Sequence, residues 1–251
     1  MTPPPEDWTF RPAGDRTLVL EFGQIIDGAL VDQVIALDAR IRSAVQAGEV
    51  SGIVETTPTF RSLAVIFDPL MTTPAELLEQ IRTLDYQHST PPDTQAQHWT
   101  VPVLYGGDAG PDLASVAQQT GLTTERVIEL HQQTRFKVYM LGFLPGFAFL
   151  GDTPAPLHLP RRREPRLRVP AGSVAIAMQL TGVYPWDSPG GWHILGNCPV
   201  PLFDGHQSPP ALFKTGDTVN FTAIEKEPFN DIRIAVESGA FLRSSLTGSR
   251  R

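Results

Sequence analysis

Between Phe136 and Phe203, glycines, prolines and aromatic residues recur too closely for a helix to run through them. Inside a helix glycine costs about 1 kcal/mol and proline about 3 kcal/mol relative to alanine. The stretch is therefore restricted to short strands joined by tight turns. Apolar runs such as Val174-Ala-Ile-Ala-Met178 and Thr218-Val-Asn-Phe-Thr222 sit between those turns, a pattern that predicts a closed antiparallel β-barrel. After Thr134 helices are expected to cease.

Upstream the periodicity changes. Residues 17–22 alternate as a strand, and residues 27–47 place Leu30, Val34, Leu37, Ile41 and Val45 at helical spacing. Strands are predicted at Gly52 to Thr57 and Ser62 to Phe67. Thr73-Pro-Ala-Glu76 then reads as a capping box with proline at the first helical position, opening a helix with Leu77, Ile81 and Leu84 on one face. This order predicts a small α+β sandwich over residues 1–87, since each element has one apolar face that needs cover. Residues 88–98 are polar, proline-bearing and without period, as a linker is. A strand restarts at Trp99, two helices separated by Gly121 follow, and the barrel domain is expected to end near residue 240, with 241–251 as a loose tail. The fold class is α+β.

The chain of 251 residues has a net charge of −7, which argues against binding nucleic acid through phosphate neutralisation. No apolar run reaches the roughly 18 residues that cross a bilayer, and the Met1-Thr-Pro-Pro-Pro start has neither the basic nor the apolar region of a signal peptide. One cysteine, Cys198, forms no internal disulfide, so the expected compartment is cytoplasmic; Cys198 itself is expected to be a small buried hydrophobe. No metal site is expected, because the histidines lack zinc-ligand spacing. Neither a Gly-x-x-x-x-Gly-Lys-Ser/Thr loop nor a strand-linked Gly-x-Gly-x-x-Gly is present.

Three groups of residues could carry chemistry. Phe143, Phe147 and Phe149 surround the turn at Leu144-Pro145-Gly146, where rings wall a pocket or fill the core. Arg161, Arg162, Arg163, Arg166 and Arg168 crowd eight residues, a place to meet a carboxylate or phosphate; if that segment is extended, Arg166 and Arg168 point to one side. Gln179, Thr181, Tyr184, Trp186 and Ser188 bracket a turn-rich run ending in Gly190 and Gly191, which let backbone approach a ligand. His131 and His193 are candidates for proton transfer near neutral pH.

Ordered blocks in this chain, Lys137 to Gly151, Pro160 to Ser173 and Gln179 to Gly196, together with Leu18-Val-Leu-Glu-Phe-Gly23, Val101-Pro-Val-Leu-Tyr-Gly-Gly107 and Gly110-Pro-Asp-Leu113, resemble the family of bacterial 5-oxoprolinase B subunits. That family is also labelled allophanate hydrolase subunit 1 or kinase-inhibitor protein and is related to subdomains C and D of the carboxyltransferase domain. The resemblance implies a cyclophilin-like barrel and ATP-dependent hydrolysis of 5-oxo-L-proline to L-glutamate, with ATP and Mg²⁺ bound in a complex with the 5-oxoprolinase C and A subunits. The chain alone is then expected to be inactive. In that scheme Arg166 and Arg168 grip an anion, the Gln179 to Ser188 loop orients the ring beside Phe143, Pro145, Gly146, Gly190 and Gly191, and His131 handles a proton. Two other implied readings are an interaction module that inhibits a sensor histidine kinase and part of a biotin-dependent carboxyltransferase acting on urea or another amide. Prolyl isomerisation is set aside, because a fold does not carry an activity. Ala177-Met178, Leu180 and Asn197 depart from the family pattern.

Overall fold

The computed structural model describes residues 8–84 and 96–247. They form two compact units, one on each side of residue 95.

In the first unit, strands β1 (Thr9–Pro12), β2 (Thr17–Glu21), β3 (Ile53–Pro58) and β4 (Ser62–Phe67) form an antiparallel sheet in the order β1-β2-β4-β3. Leu18, Leu20, Leu63, Val65 and Phe67 line its buried face. Helices α1 (Gly28–Gln46) and α2 (Pro74–Arg82) supply Val34, Leu37, Ile41, Leu77 and Ile81 to the same core. Asp27 caps α1 through the Ala29 N–H, and the Thr73/Glu76 capping box closes on α2 as expected. Strand β1 has no buried residue, which is why no apolar alternation announces it.

The second unit is a closed barrel. Strands β5 (His98–Tyr105), β6 (Phe136–Leu141), β7 (Ala148–Gly151), β9 (Ser173–Ala177), β10 (Leu180–Val183), β12 (His193–Asn197) and β13 (Thr218–Ala223) run in the order β10-β7-β6-β13-β5-β12-β9, and β8 (Arg166–Val169) pairs apart with β11 (Ser188–Gly190) as a ribbon. The barrel is mixed rather than wholly antiparallel, because β13 closes it parallel to β5. Hairpins enforce antiparallel neighbours; these two strands lie far apart in sequence, so no turn fixes their direction. Val101, Val103, Phe136, Val138, Leu150, Val174 and Phe221 fill the interior. Helices α3 (Leu113–Thr120) and α4 (Thr124–Gln133) flank it, separated by Gly121 in the left-handed conformation (φ 69°).

Two expectations are corrected. A further helix, α5 (Lys226–Glu237), follows the barrel; Pro228 lies in its first turn, where a missing N–H costs nothing. The described part of the expected loose tail is ordered: Leu246 is buried, and Thr247 bridges to Trp99. Most of the expected linker lies outside the described residues, and His98 already belongs to β5.

Candidate functional site

The arginine run is organised by Asp112. The Gly110-Pro-Asp-Leu segment starts α3, and a Cβ at Gly110 would overlap the Leu195 carbonyl oxygen, so only glycine brings the chain this close to β12. The buried Asp112 carboxylate does not cap its own helix. It accepts from Arg166 at 2.8 Å through both guanidinium NH₂ groups, from Arg162 at 2.7 Å and from the Ile194 N–H at 2.8 Å. Burial raises its pKa, but the Arg166 hydrogen bonds, the Ile194 N–H and the Arg162 charge together outweigh that and hold the carboxyl below its ordinary range. Arg168 pairs with Asp187 at 2.6 Å.

Arg166 and Arg168 lie in a strand, as the sequence suggested, and both line an open groove of about 920 Å³. Its wall includes Tyr105, Gly106, Gly107, Lys226, Phe229 and Arg233; four cationic side chains face it and one carboxylate, Asp108. Arg166 is corrected in one respect. Its fork is already filled by Asp112, so it positions the ribbon and adds charge to the groove, rather than clamping a ligand with two free donors.

A second hollow opens beyond the ribbon, where Gly190 pairs with Arg166. It has a volume of about 160 Å³ and is lined by Phe143, Phe147, Phe149, Tyr184, Trp192, Arg161, Pro189, Gly190 and Gly191. Phe147 meets Phe143, Phe149, Tyr184 and Trp192 edge to face, with centroids 4.8 to 5.7 Å apart. A Cβ on Gly190 would lie 2.5 Å from the Tyr184 hydroxyl, so that glycine admits the phenol to the wall. Phe143 is 63% exposed at φ 71°. The following turn is pinned by the Trp186 indole N–H, which donates to the Pro145 carbonyl at 3.0 Å, and by Gly146, where a Cβ would meet Phe203 at 2.7 Å. Pro145 and Gly146 therefore shape the loop and line a shallower hollow on its other side.

The remaining candidates are not brought to these walls. His131 is fully buried, with its ring 4.5 Å from Phe221. Its Nδ1 is 2.7 Å from the Tyr105 hydroxyl and its Nε2 is 2.9 Å from Thr181 Oγ1. Because Thr181 donates to the Ala175 carbonyl, Nε2 must donate to Thr181, and Nδ1 accepts from Tyr105. Burial pushes the imidazole pKa down to about 3, so the expected proton carrier is a neutral core residue; Thr181 is its equally buried partner. Gln179 lies in the β9–β10 turn and lines none of the three hollows. Ser188 is buried, its Oγ without a partner among the described residues. His193 is buried and donates through Nε2 to the Pro160 carbonyl at 2.9 Å. Cys198 is buried and its thiol is pushed up to about 12 by burial. Sequence reasoning did not single out Asp112 or Trp192: one partners arginines some fifty residues away, and the other belongs to a cage that only the barrel assembles.

The closed mixed barrel with its flanking helices is a carboxyltransferase-type fold. Residues 8–213 match the family described as carboxyltransferase domain, subdomain C and D. The K. lactis urea amidolyase superposes with a TM-score of 0.73 over 96% of this chain and 16% of that one, at 18% identity, a likeness of fold alone. The crystal structure of TTHA0988 gives a TM-score of 0.72 at 36% identity over 84% of this chain, which spans only 40% of that longer chain. The 5-oxoprolinase B subunit of Escherichia coli O157:H7 is 40% identical over 72% of this chain and 82% of its own length. That of Bacillus subtilis strain 168 is 34% identical over 86% and 93%. The chain belongs to the family of 5-oxoprolinase B subunits.

Proposed function

We propose that this chain is the B subunit of an ATP-dependent 5-oxoprolinase, which opens the lactam of 5-oxo-L-proline to L-glutamate, and that it contributes an anion-binding surface to the assembly. The observation that carries this reading is the groove, lined by Arg166, Arg168, Lys226 and Arg233 with one lining carboxylate, Asp108, in a chain of net charge −7. Arg166 is paired with Asp112, Arg168 with Asp187 and Arg233 with Glu237, so an anion would engage Lys226 and the solvent-exposed guanidinium groups of Arg168 and Arg233. A lactam is a weak electrophile. Phosphoryl transfer from ATP to its carbonyl oxygen supplies activation and releases ADP; water then adds to that carbon and the C–N bond opens, the ring nitrogen taking a proton, to leave an acyl phosphate, which a second water hydrolyses to the carboxylate of glutamate and phosphate.

ATP is a co-substrate in this reading. Arg168, Lys226 and Arg233 fit the charge of its phosphates, and the groove volume of about 920 Å³ falls within the roughly 300–1,000 Å³ of ordinary ligand sites. Among the described residues no three His, Cys, Asp or Glu side chains gather, so this chain would offer Mg²⁺ at most a single groove carboxylate, Asp108. Mg²⁺ would travel on the nucleotide, whose own oxygens suit it.

The names of the relatives, each one subunit of a 5-oxoprolinase, support an assembly, and the A and C subunits are the proposed partners. The test is release of glutamate and ADP from 5-oxo-L-proline, ATP and Mg²⁺ by this chain, by the A and C subunits, and by the full mixture. Product from the full mixture alone supports the reading. An assembled mixture that yields none overturns it.

A further inference from the structure

Arg161 distinguishes itself from its neighbours. Arg162 and Arg166 are held by Asp112 and Arg168 by Asp187, whereas Arg161 and Arg163 have no ion-pair partner among the described residues, and of these two it is Arg161 that lines the aromatic hollow. The backbone beside it is anchored: the next residue, Arg162, donates its backbone N–H to the Gly191 carbonyl at 2.8 Å, which ties the segment to the aromatic hollow. Among the described residues, Arg161 is the only charged side chain that lines that hollow.

The rest of the wall selects for shape. Five aromatic rings meet mostly edge to face, with interplanar angles between 61° and 86° around Phe147, leaving space for one further flat group to make the same contacts. The volume of about 160 Å³ is below the roughly 300–1,000 Å³ of drug-sized sites, which excludes a nucleotide and admits a single small ring. Tyr184 is a neutral donor here. Burial raises its pKa, and the opposing influences of Arg161 and the Trp192 N–H are smaller. Phe143 stands at the mouth in a left-handed conformation that an aromatic residue rarely adopts. Such strain clusters at ligand clamps.

We propose that this hollow is a binding site for a small ring acid, with the flat ring among Phe143, Phe147, Phe149, Tyr184 and Trp192 and the carboxylate on the Arg161 guanidinium. The site holds the small acid, and the basic groove across the ribbon holds a larger polyanion. Identifying the acid rests on the proposed function, in which 5-oxo-L-proline is the one reactant of this size, flatness and charge.

Three probes separate the contributions: 5-oxo-L-proline, 2-pyrrolidinone with the same ring and no carboxylate, and cyclopentanecarboxylate with the charge and no lactam. Binding to the full chain is read by calorimetry and Trp fluorescence, and KM for 5-oxo-L-proline is read in the assembled enzyme. Arg161→Ala is expected to weaken 5-oxo-L-proline about tenfold or more, the scale of a charged hydrogen bond. It should raise KM alike and leave 2-pyrrolidinone unchanged. Arg163→Ala removes the same charge outside the hollow and should change none of these. An Arg161→Ala enzyme that still makes glutamate with unchanged KM overturns the site and leaves the proposed function standing. Arg161-dependent binding of cyclopentanecarboxylate, with no binding of 5-oxo-L-proline and no glutamate from the assembled mixture, keeps the site and removes the lactam.

Discussion

Met178 and His131 each hold a position that their residue type does not favour, and each makes a measurable prediction. Met178 sits in the two-residue turn between β9 and β10 at φ 56°, with its side chain 55% exposed. A left-handed conformation costs a residue with a Cβ roughly 1–2 kcal/mol, while glycine loses about 0.5–1 kcal/mol of extra chain entropy on folding. Strain wins by a small margin, so Met178→Gly should stabilise the fold by about 0.5–1 kcal/mol. An unchanged or lower urea midpoint would show that the side chain earns its place by packing. For His131 the sign follows from burial. Its pKa near 3 in the folded chain is below the unfolded value of about 6.5, so the unfolded chain takes up the proton first. Stability attributable to this residue is complete above pH 6.5 and is lost as pH falls toward 3, by roughly 5 kcal/mol over the whole interval at 1.36 kcal/mol per unit. His98, lowered by partial burial and then by Arg135, adds in the same direction. His131→Gln can keep a donor for Thr181 and an acceptor for Tyr105, so it should fold and lose much of the decline between pH 6.5 and 4. Parallel urea midpoints across that range, with the same slope in both proteins, would disprove the assignment.

At the level of elements, legibility tracked how local the determining interactions are. Helix α2 announces itself within four residues through its capping box, and the α3–α4 break through Gly121. Strand β1 carries no buried residue, so it lacks the apolar alternation that periodicity detects, whereas helix α5 does place Phe229, Ile232 and Val236 at helical spacing and is missed because helices are expected to cease after Thr134. The parallel β5–β13 pair depends on closure between distant segments. The site divides in the same way: Arg166 and Arg168 could be placed on one side of a strand from their spacing, but whether either guanidinium is engaged depends on Asp112 and Asp187. Asp112 is thus the hinge pin between the start of α3, the arginine segment and β12. Asp112→Asn keeps the shape while removing the charge that two arginines share. Breaking a buried pair costs about 3–5 kcal/mol; since the Arg162 and Arg166 side chains are 30% and 25% exposed, about 2–3 kcal/mol is expected. Chemical denaturation gives the number, and a loss below about 0.5 kcal/mol would mean that the network contributes geometry without stability.

Across the whole molecule, the excess of acidic groups and the basic groove act against each other. A net charge of −7 repels polyanions at long range, whereas Arg168, Lys226 and Arg233, exposed at the groove, attract them there. Which effect governs binding is a matter of distance and screening. At 0.1 M salt the Debye length is about 10 Å, so charges scattered over the surface are largely silenced, while cations in contact with a ligand keep most of their effect. Inorganic tripolyphosphate should therefore bind measurably at 0.1 M salt and more weakly at 0.5 M, where contact pairs are also screened. Arg168 and Lys226 have side chains open to solvent, so reversing both with Arg168→Glu and Lys226→Glu should leave the fold intact and weaken binding by tenfold or more, each contact being worth about a charged hydrogen bond. Calorimetry at the two salt concentrations checks both parts. Affinity that ignores salt, or that survives the double reversal, would place the anion elsewhere and leave the groove a solvated basic face.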